Sequence, residues 1–378
     1  MTKRKISMRL VGLFAASSLG FSAVGVRLVW LQALDGGRFD ELAATQRVRR
    51  VVLSPQRGSI VDRDGAELAI SMNMKSIFAN PHFVADAKGS AAALSPLLEI
   101  QTGVLEEKLT RKSGFVYLAR KVDPEKAAQI KALGLPGIDM VDEPKRFYPS
   151  GQLGSHLVGF VGAENEGLGG LEDMHDKLLK GEPGELVMER DPQGRPIPRG
   201  KSFIKPPISG DDLVLTIDKQ IQYAAEAALA KGITSYSAKG GTVVVMRPAT
   251  GEILAMANLP TFDPNVPSAT PAESRKNRAL IDVYEPGSAN KVITAAAALE
   301  LGVVKPGDVM RVPDNFKLGP KVFHDAHAHP VLNLSFSQVI QQSSNVGTIK
   351  VAQGIGKERL HEYLVKFGYG KPTGLSFP

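Results

Sequence analysis

An uncharged segment near the N-terminus limits what this chain can fold into more than any other feature of the sequence. Residues 10–26 carry no charged side chain, and after Arg27 the apolar character continues to Leu34. A helix needs about 20 apolar residues to cross the hydrocarbon core of a bilayer. Four basic side chains precede the segment, at Lys3, Arg4, Lys5 and Arg9. Because positive charges favour the cytoplasmic side, the sequence predicts a cytoplasmic tail over 1–9, a transmembrane anchor over 10–34 and all later residues outside the cytoplasm.

Two other interpretations of this segment stay open. A cleavable signal peptide would have a shorter apolar core followed by a small-x-small cleavage site, and no convincing site follows here. A core helix of a soluble domain would not require four basic residues directly before it. Trp30 suits a membrane interface and Arg27 can extend its side chain to the same level. The anchor is therefore the preferred interpretation.

Composition excludes several classes of function. The 378 residues suffice for two or three domains. No cysteine is present, which rules out disulfides, zinc–thiolate sites and a cysteine nucleophile. The net charge is +7, and a second basic cluster follows the anchor at Arg47, Arg49 and Arg50. No aromatic residues alternate with these charges as in a nucleic-acid-binding motif, so we predict no nucleic-acid partner.

Turn signals divide the rest of the chain. Asp64-Gly65 between two apolar runs predicts a β-hairpin. The segment 205–210, rich in proline and glycine, is the clearest linker. It separates a mixed α/β region over 56–205 from a second region over 211–378, and residues 35–55 are assigned to a juxtamembrane linker.

The second region begins with an α+β pattern. A helix is predicted over 219–230, ended by Gly232, and two strands over 242–246 and 253–258 are joined by a proline- and glycine-containing turn. Residues 292–299 are apolar on every side, which predicts a helix buried in a core.

Two residues directly before that helix have the chemistry of a nucleophile and its base. Ser288 and Lys291 lie three residues apart, and positions i and i+3 of a helix share a face. A serine hydroxyl attacks well when a neighbouring base takes its proton, and a lysine can do so if burial lowers its pKa. Ser-x-x-Lys is common by chance, however, and a capping serine beside a surface lysine is the alternative interpretation.

A second pattern favours the chemical interpretation. Ser343-Ser344-Asn345 follows about 55 residues later, between apolar stretches. Ser-x-x-Lys followed by Ser-Asp-Asn and then Lys-Thr-Gly is typical of penicillin-binding proteins and β-lactamases. Lys371-Pro372-Thr373-Gly374 is the nearest match to the third motif, but its proline would deny a central strand an N–H group. We therefore predict that the Lys-Thr-Gly strand is missing and that the chain is truncated or fragmentary.

Further motifs extend the resemblance over nearly the whole chain. In order they are the anchor, Arg57-Gly58-Ser59-Ile60-Val61-Asp62-Arg63-Asp64-Gly65, Arg146-x-Tyr148-Pro149, Gly167-x-Gly169-Gly170-Leu171-Glu172, Gly251-Glu252-Ile253-Leu254-Ala255-Met256, Asn277-Arg278-Ala279 and Glu285-Pro286-Gly287-Ser288. With them the chain resembles the class B penicillin-binding proteins, closest to the division-specific (septal) type.

This resemblance implies an α+β fold. A transmembrane helix would be followed by a mixed α/β pedestal (dimerisation) domain over 56–205. Residues 211–378 would form the N-terminal part of a penicillin-binding transpeptidase domain, an antiparallel sheet with a buried helix. The protein would sit in the bacterial inner membrane as a single-pass protein, with its bulk in the periplasm.

The resemblance also implies a serine-type D-Ala-D-Ala transpeptidase that cross-links peptidoglycan stem peptides during cell division. Ser288 would attack the penultimate D-alanyl carbonyl, and Lys291 would act as the base. Ser343 would relay the proton, and Asn345 would hold Lys291 and the substrate amide. The expected partners are stem peptides, β-lactams, the inner membrane, a membrane-embedded glycosyltransferase and other division proteins.

No cofactor and no metal are predicted. His324, His327 and His329 lie close together in sequence, but no carboxylate-rich or supporting pattern of the kind that accompanies metal ligands surrounds them. A polar loop is the preferred interpretation of these residues.

Three alternatives to a septal transpeptidase remain. The first is a catalytically inert, membrane-anchored interaction subunit of the division machinery, because the missing strand would supply half of the oxyanion hole. Loss of one oxyanion donor costs on the order of 100- to 1000-fold in rate. The second is an elongation-type class B penicillin-binding protein. The third, a soluble serine β-lactamase, is disfavoured by the anchor and the long pedestal.

Overall fold

The structure, a computed structural model, describes residues 2–30, 48–189, 202–375 and 377. It divides into two compact units, Met1–Asn277 and Arg278–Pro378. The end of the predicted anchor, residues 31–34, and much of the predicted juxtamembrane linker, residues 35–47, lie outside the described residues.

The N-terminal helix α1 runs from Thr2 to Val29. Its segment Leu10–Val29 has a mean hydropathy of 1.5, and none of it is buried against the protein. An apolar helix without protein cover needs an apolar solvent. Within the part of the chain that the structure describes, it is the one helix long and apolar enough to cross a membrane, as predicted for the anchor.

The described residues 48–189 and 202–214 contain the predicted pedestal, 56–205, and form a mixture of short strands and helices. Its strands are β1 (Val48–Leu53), β2 (Ile60–Val61), β3 (Glu67–Ala79), β4 (Val116–Val122), β5 (Ile138–Phe147), β6 (Phe160–Val161), β7 (Gly167–Gly169), β8 (Gly184–Glu189), β9 (Ser202–Lys205) and β10 (Leu213–Val214). Its helices are α2 (Ala87–Leu98), α3 (Thr102–Leu109), α4 (Pro124–Ala132), α5 (Ser155–Val158), α6 (Gly170–Met174) and α7 (Asp176–Leu179). This mixed α/β architecture confirms the predicted fold of the region.

The long strand β3 organises the largest sheet. It pairs antiparallel with β2, β4 and β5, and β10 pairs parallel with β2. A second antiparallel sheet has the order β1-β8-β9, and β6 pairs with β7. Helices α2, α3 and α4 pack with β3 and β4 around one core, made of Ile77, Ala79, Ala91, Leu94, Leu105, Leu109, Leu118, Ala127 and Ile130. Burial of these side chains is the main favourable term in the folding of this region.

A buried ionic cluster joins three segments of the pedestal that are distant in sequence. Glu172 in α6 is fully buried and accepts bonds from Arg57 Nε at 2.5 Å and Arg146 Nε at 2.6 Å. The Tyr148 hydroxyl donates to the same carboxylate at 3.3 Å, and Arg57 also bonds to Asp176 at 2.7 Å. Buried charges need such paired partners, so the cluster fixes the start of the pedestal, the region after β5 and helix α6 against one another.

The predicted turn at Asp64-Gly65 is confirmed between β2 and β3. The Asp62 carboxylate accepts bonds from the amides of Asp64 at 2.9 Å and Ala66 at 2.8 Å. Gly65 adopts a φ of 85°, which glycine reaches without strain. Asp62 also accepts the amide of Lys219 at 3.1 Å, so the turn holds the start of a later helix as well.

The predicted linker 205–210 is hydrogen-bonded to the pedestal. Ile208 and Glu182 exchange two backbone bonds, at 2.8 and 2.9 Å, and the Gly210 amide donates to the Gln56 carbonyl at 2.9 Å. Strand β10 then follows in the largest sheet. This segment therefore belongs to the first compact unit, which ends at Asn277.

The first unit ends with α8 (Lys219–Tyr236), β11 (Gly241–Met246), β12 (Ile253–Leu259) and the 3-10 turns Pro267–Ala269 and Ala272–Arg275. β11 and β12 form the predicted antiparallel pair, and α8 packs on it. The predicted end of the helix near Gly232 is wrong, because α8 continues for one more turn. Leu229 and Ile233 lie against Gly241 of the strand pair, and this packing offsets the roughly 1 kcal/mol that a glycine costs in a helix.

The second unit consists of α9 (Arg278–Ile281), the 3-10 turn Gly287–Asn290, α10 (Lys291–Glu300), β13 (Val309–Val312), β14 (Asn315–Leu318), β15 (Lys321–His324), β16 (Leu332–Ser335), α11 (Phe336–Gln341), α12 (Asn345–Ile355) and α13 (Lys357–Lys366). β13 pairs antiparallel with β16, and β14 with β15. The core contains Ile293, Ala297, Ala298, Phe336, Val351, Ile355 and Tyr363. Helix α10 is buried along the face that carries Ile293, whereas Val292 is 59% and Leu299 44% exposed. The expectation of burial on every side is therefore wrong, because the core covers one face of the helix and leaves apolar residues exposed on another.

Candidate active site

The nucleophile candidate lies in a tight turn at the start of α10. Ser288 is exposed in the 3-10 turn, and Lys291 is the first residue of the α-helix that follows. Gly287 has a φ of 58°, a conformation that residues with a Cβ rarely adopt. The glycine therefore allows the sharp entry that places the serine hydroxyl and the lysine amine at the same end of the helix.

Ser343 connects these two side chains. It lies between α11 and α12, and its hydroxyl donates to Ser288 Oγ at 2.9 Å. Lys291 Nζ donates to Ser343 Oγ at 3.0 Å and to the Ser343 carbonyl oxygen at 2.5 Å. Ser343 adopts a left-handed φ of 54°, a conformation that costs a non-glycine residue about 1–3 kcal/mol and is frequent at functional sites. The result is a continuous hydrogen-bonded chain from the amine to the exposed hydroxyl.

Burial changes the proton affinity of Lys291. The partial removal of its amine from water disfavours the charged form and lowers the pKa of Lys291 below its ordinary value. The negative charge of Asp325 opposes this shift without cancelling it. A lysine with a lowered pKa is better able to accept a proton near neutral pH.

Asn345 is held by a neighbouring loop. It is the first residue of α12, and its side-chain amide donates to the His324 carbonyl oxygen at 2.8 Å. Lys291, its expected partner, makes its bonds to Ser343. The Asn345 side chain is thus held by the backbone of His324, the last residue of β15, where the loop between β15 and β16 begins.

Asp325, in the same loop, is a site residue that sequence analysis did not single out. Its carboxylate accepts the Ser344 hydroxyl at 2.7 Å and the Val346 amide at 2.9 Å. Burial alone would raise the pKa of Asp325, but these donors and His329 lower it, so the group stays charged at the N-terminus of α12. A single acid among three histidines was the available signal, but its partners become evident only in the folded loop.

The histidines of this loop have separate roles. His324 contributes its carbonyl oxygen to Asn345, and His329 meets Asp325 through Nε2 at 3.0 Å. In the part of the chain that the structure describes, no group of three or more His, Cys, Asp or Glu side chains is arranged to hold a metal ion.

Comparison with known proteins assigns the family. The family model of the penicillin-binding protein dimerisation domain matches residues 52–215, and that of the penicillin binding protein transpeptidase domain matches residues 241–378. The chain is 36% identical over 378 residues to the probable peptidoglycan D,D-transpeptidase PenA of Neisseria gonorrhoeae, covering 98% of this chain and 64% of that protein. It is 35% identical to the peptidoglycan D,D-transpeptidase FtsI of Escherichia coli K12, covering 98% and 63%. The chain belongs to the class B penicillin-binding proteins.

Solved structures agree with this family. A peptidoglycan synthetase from Bifidobacterium adolescentis is 29% identical to this penicillin-binding protein, with a TM-score of 0.65 and coverage of 88% of this chain and 65% of that one. Penicillin binding protein 3 from Mycobacterium tuberculosis, in complex with aztreonam, is 28% identical, with a TM-score of 0.61 and coverage of 87% and 56%. The chain spans just under two thirds of the length of the Neisseria and Escherichia relatives.

Proposed function

We propose that this chain carries the acyl-transfer residues of a peptidoglycan D,D-transpeptidase, with Ser288 as nucleophile and Lys291 as general base. One observation carries the proposal: Lys291, Ser343 and Ser288 form one hydrogen-bonded chain that ends at an exposed hydroxyl. The lowered pKa of Lys291 supports its role as the proton acceptor. The names of the relatives support the reaction class.

The proposed reaction has two halves. Ser288 Oγ forms a bond to the penultimate D-alanyl carbonyl carbon of a stem peptide, and its proton passes to Lys291, directly or through Ser343. The bond to the terminal D-alanine then breaks, and the proton returns to the leaving amine. In the second half, an amine of a neighbouring stem peptide attacks the ester carbonyl and gives up a proton to Lys291. The ester bond breaks, the cross-linking amide remains, and the proton passes back to Ser288 Oγ. Asn345 would orient the substrate amide.

The anchor and the relatives support a cellular role. The basic residues at the start of α1, before its apolar segment Leu10–Val29, support a single-pass protein of the inner membrane whose bulk lies in the periplasm. We place it in septal peptidoglycan synthesis, beside a membrane-embedded glycosyltransferase and other division proteins, with β-lactams as inhibitors. An elongation role and an inert interaction subunit are the alternatives.

Labelling with a fluorescent penicillin tests the chemistry. Because the relatives are longer than this chain, the assay uses both the chain alone and the chain joined to the unmatched remainder of the Escherichia coli relative. We expect the longer protein to be labelled at Ser288 and the chain alone to be labelled weakly. Ser288→Ala should abolish the label, and Lys291→Ala should slow labelling by about 100- to 10,000-fold.

Matched controls separate chemistry from folding. Ser337→Ala and Lys357→Ala change exposed side chains of the same unit and should label like the unmodified protein. Label that survives Ser288→Ala would identify a different nucleophile. Complete absence of label in a folded longer protein would favour the inert interaction subunit.

The base also predicts a pH dependence. Since the neutral amine of Lys291 accepts the proton, the labelling rate should rise with pH and level off once the pH exceeds the lowered pKa of this lysine. The inflection should lie below the ordinary lysine value of 10.5. Stopped-flow acylation rates across pH measure it, and a rate independent of pH would contradict Lys291 as the base.

A further inference from the structure

The loop between β15 and β16 contains one histidine whose two ring nitrogens both meet acceptors. His329 Nε2 lies 3.0 Å from Asp325 Oδ2, and Nδ1 lies 2.7 Å from the Pro330 carbonyl oxygen. A carboxylate and a carbonyl offer no proton, and a neutral imidazole has one N–H to donate. Both contacts can be hydrogen bonds only when the ring is an imidazolium, with a proton on each nitrogen.

The same loop fixes the segment that follows Ser343. Asp325 accepts the Ser344 hydroxyl and the Val346 amide, while the His324 carbonyl accepts the Asn345 side chain. Ser344 in turn caps α12 by accepting the Gly347 amide at 2.9 Å. Asp325 therefore holds Ser344 and Val346, and the adjacent His324 carbonyl holds Asn345 between them, so the segment 344–346 directly after Ser343 is fixed from this side.

We propose that His329 is a positioning residue that, as an imidazolium, fixes Asp325 and thereby the segment 344–346, and that loosens this segment when it loses its proton. With one N–H, a neutral ring would keep either the Asp325 contact or the Pro330 contact, and the loop would lose the other restraint. The catalytic consequence rests on the proposed function, whereas the restraint itself is a property of the fold.

The charges around the ring favour its protonated form. The Pro330 carbonyl and the Asp325 carboxylate raise the pKa of His329, and Asp314, whose carboxylate accepts the His329 amide at 3.3 Å, adds to the shift. Helix α10 contributes the partly buried amine of Lys291, on which the charge of Asp325 also acts. Because the pKa of His329 is raised in the folded state, the stabilisation is fully present below the ordinary histidine value of 6.5 and is lost as the pH rises through the raised value.

Imidazole nitrogen NMR of the full chain in detergent micelles tests the charge directly. The chain has seven histidines, so His329→Gln and His327→Gln serve to assign the two signals. At pH 6 both nitrogens of His329 should carry protons, and the ring should titrate above the ordinary histidine value of 6.5. A His329 ring that is neutral at pH 6, or that titrates below the ordinary value of 6.5, overturns the proposal.

Hydrogen exchange of the Val346 amide tests the restraint. After correction for intrinsic exchange, protection in the unmodified protein should fall at least several-fold as the pH rises through the titration of His329. In His329→Gln this fall should be absent, because glutamine can donate to Asp325 but cannot titrate, and His327→Gln should behave like the unmodified protein. Protection that does not follow the titration of His329 overturns the proposal, and the titration in the unmodified protein decides the charge even if a variant does not fold.

Neither readout requires acylation, so the two proposals fail separately. The longer protein that labels with penicillin allows the labelling rates with His329 and with His329→Gln to be compared. The ratio of the first rate to the second should fall as the pH rises through the titration of His329. A ratio independent of pH, while His329 titrates, would show that the restraint does not reach the reacting groups.

Discussion

At the scale of single residues, Glu172 is a fully buried negative charge that depends on positively charged partners. Its fully buried carboxylate faces two guanidinium groups, those of Arg57 and Arg146, whose side chains are 2% and 1% exposed. We expect Glu172→Gln to lower the free energy of unfolding by about 3–5 kcal/mol, because it removes the carboxylate that both buried guanidinium groups face and leaves Arg57 with the carboxylate of Asp176 alone. Urea denaturation of the chain measures the loss.

Glu164 provides the matched control for this prediction. It pairs with Arg120 at 2.5 Å but is 69% exposed, and exposed ion pairs contribute about 0–1 kcal/mol. Glu164→Gln should therefore change stability by less than about 1 kcal/mol. Equal losses in the two variants would contradict the assignment of Glu172 as the centre of a buried cluster.

The sequence predicted those site residues whose spacing is local. Ser288 and Lys291 are neighbours on one turn, and Ser343 and Asn345 flank a single residue, so a pattern search finds them; their catalytic roles stay predictions. Asp325 escaped because its partners, Ser344 and Val346, are about 20 residues away in sequence and meet it only after α12 and the loop have folded together.

At the scale of elements, the segment after β9 is held by close backbone packing. A Cβ atom at Gly210 would lie 1.7 Å from the Leu179 carbonyl oxygen and 3.0 Å from the Gly181 nitrogen. Both are backbone atoms, which cannot move aside as the end of a flexible side chain can. We expect Gly210→Ala to destabilise the pedestal by at least about 1–3 kcal/mol and to expose residues 205–212 to limited proteolysis.

Gly232 provides the control, because an alanine there should raise the stability that Gly210→Ala lowers. It lies inside α8, and a Cβ atom added there would have no neighbouring atom within 4 Å, so Gly232→Ala should stabilise the chain by about 0.5–1 kcal/mol. Thermal unfolding followed by circular dichroism compares the two variants. If Gly210→Ala unfolds at the temperature of the unmodified protein, the close contact with Leu179 is not rigid.

Turns and strand pairs were predictable from the sequence where residues close together in sequence supply their hydrogen bonds. The Asp64-Gly65 turn forms with its local Asp62 acceptor, and β11 pairs with the strand next to it in sequence. Proline and glycine in 205–210 are equally compatible with a free linker and with a segment bonded to Glu182 and Gln56, so composition could not distinguish them. The domain boundary at 205–211 stays a prediction.

At the scale of the whole molecule, the N-terminal helix predicts which side of a membrane the rest occupies. A reporter fused after Asp35 should be active only outside the cytoplasm, because basic residues precede the apolar segment of α1. Reporter fusions in a bacterial host measure this. Activity in the cytoplasm would reverse the topology, and release of a shorter soluble product would identify a cleaved signal peptide.

A matched variant tests whether the apolar segment is the cause. Leu19→Lys with Phe21→Lys places two charges within the exposed apolar surface of α1, at a cost of about 2.5–3.5 kcal/mol each near the centre of a bilayer. Membrane fractionation should then find less of the protein in the membrane. Undiminished association would mean that another part of the chain binds the membrane.

The parallel pairing of β2 with β10 has a mechanical consequence. The two strands are joined by the Leu213 amide to the Ser59 carbonyl at 2.8 Å and by the Leu215 amide to the Val61 carbonyl at 3.0 Å. Because the two strands are parallel, the start of β2 and the end of β10 lie at opposite ends of the pair. Tension applied between the start of β2 and the end of β10 therefore acts on both hydrogen bonds together, in shear. The force does not run through residues 62–212, so the pedestal can transmit it without being stretched itself.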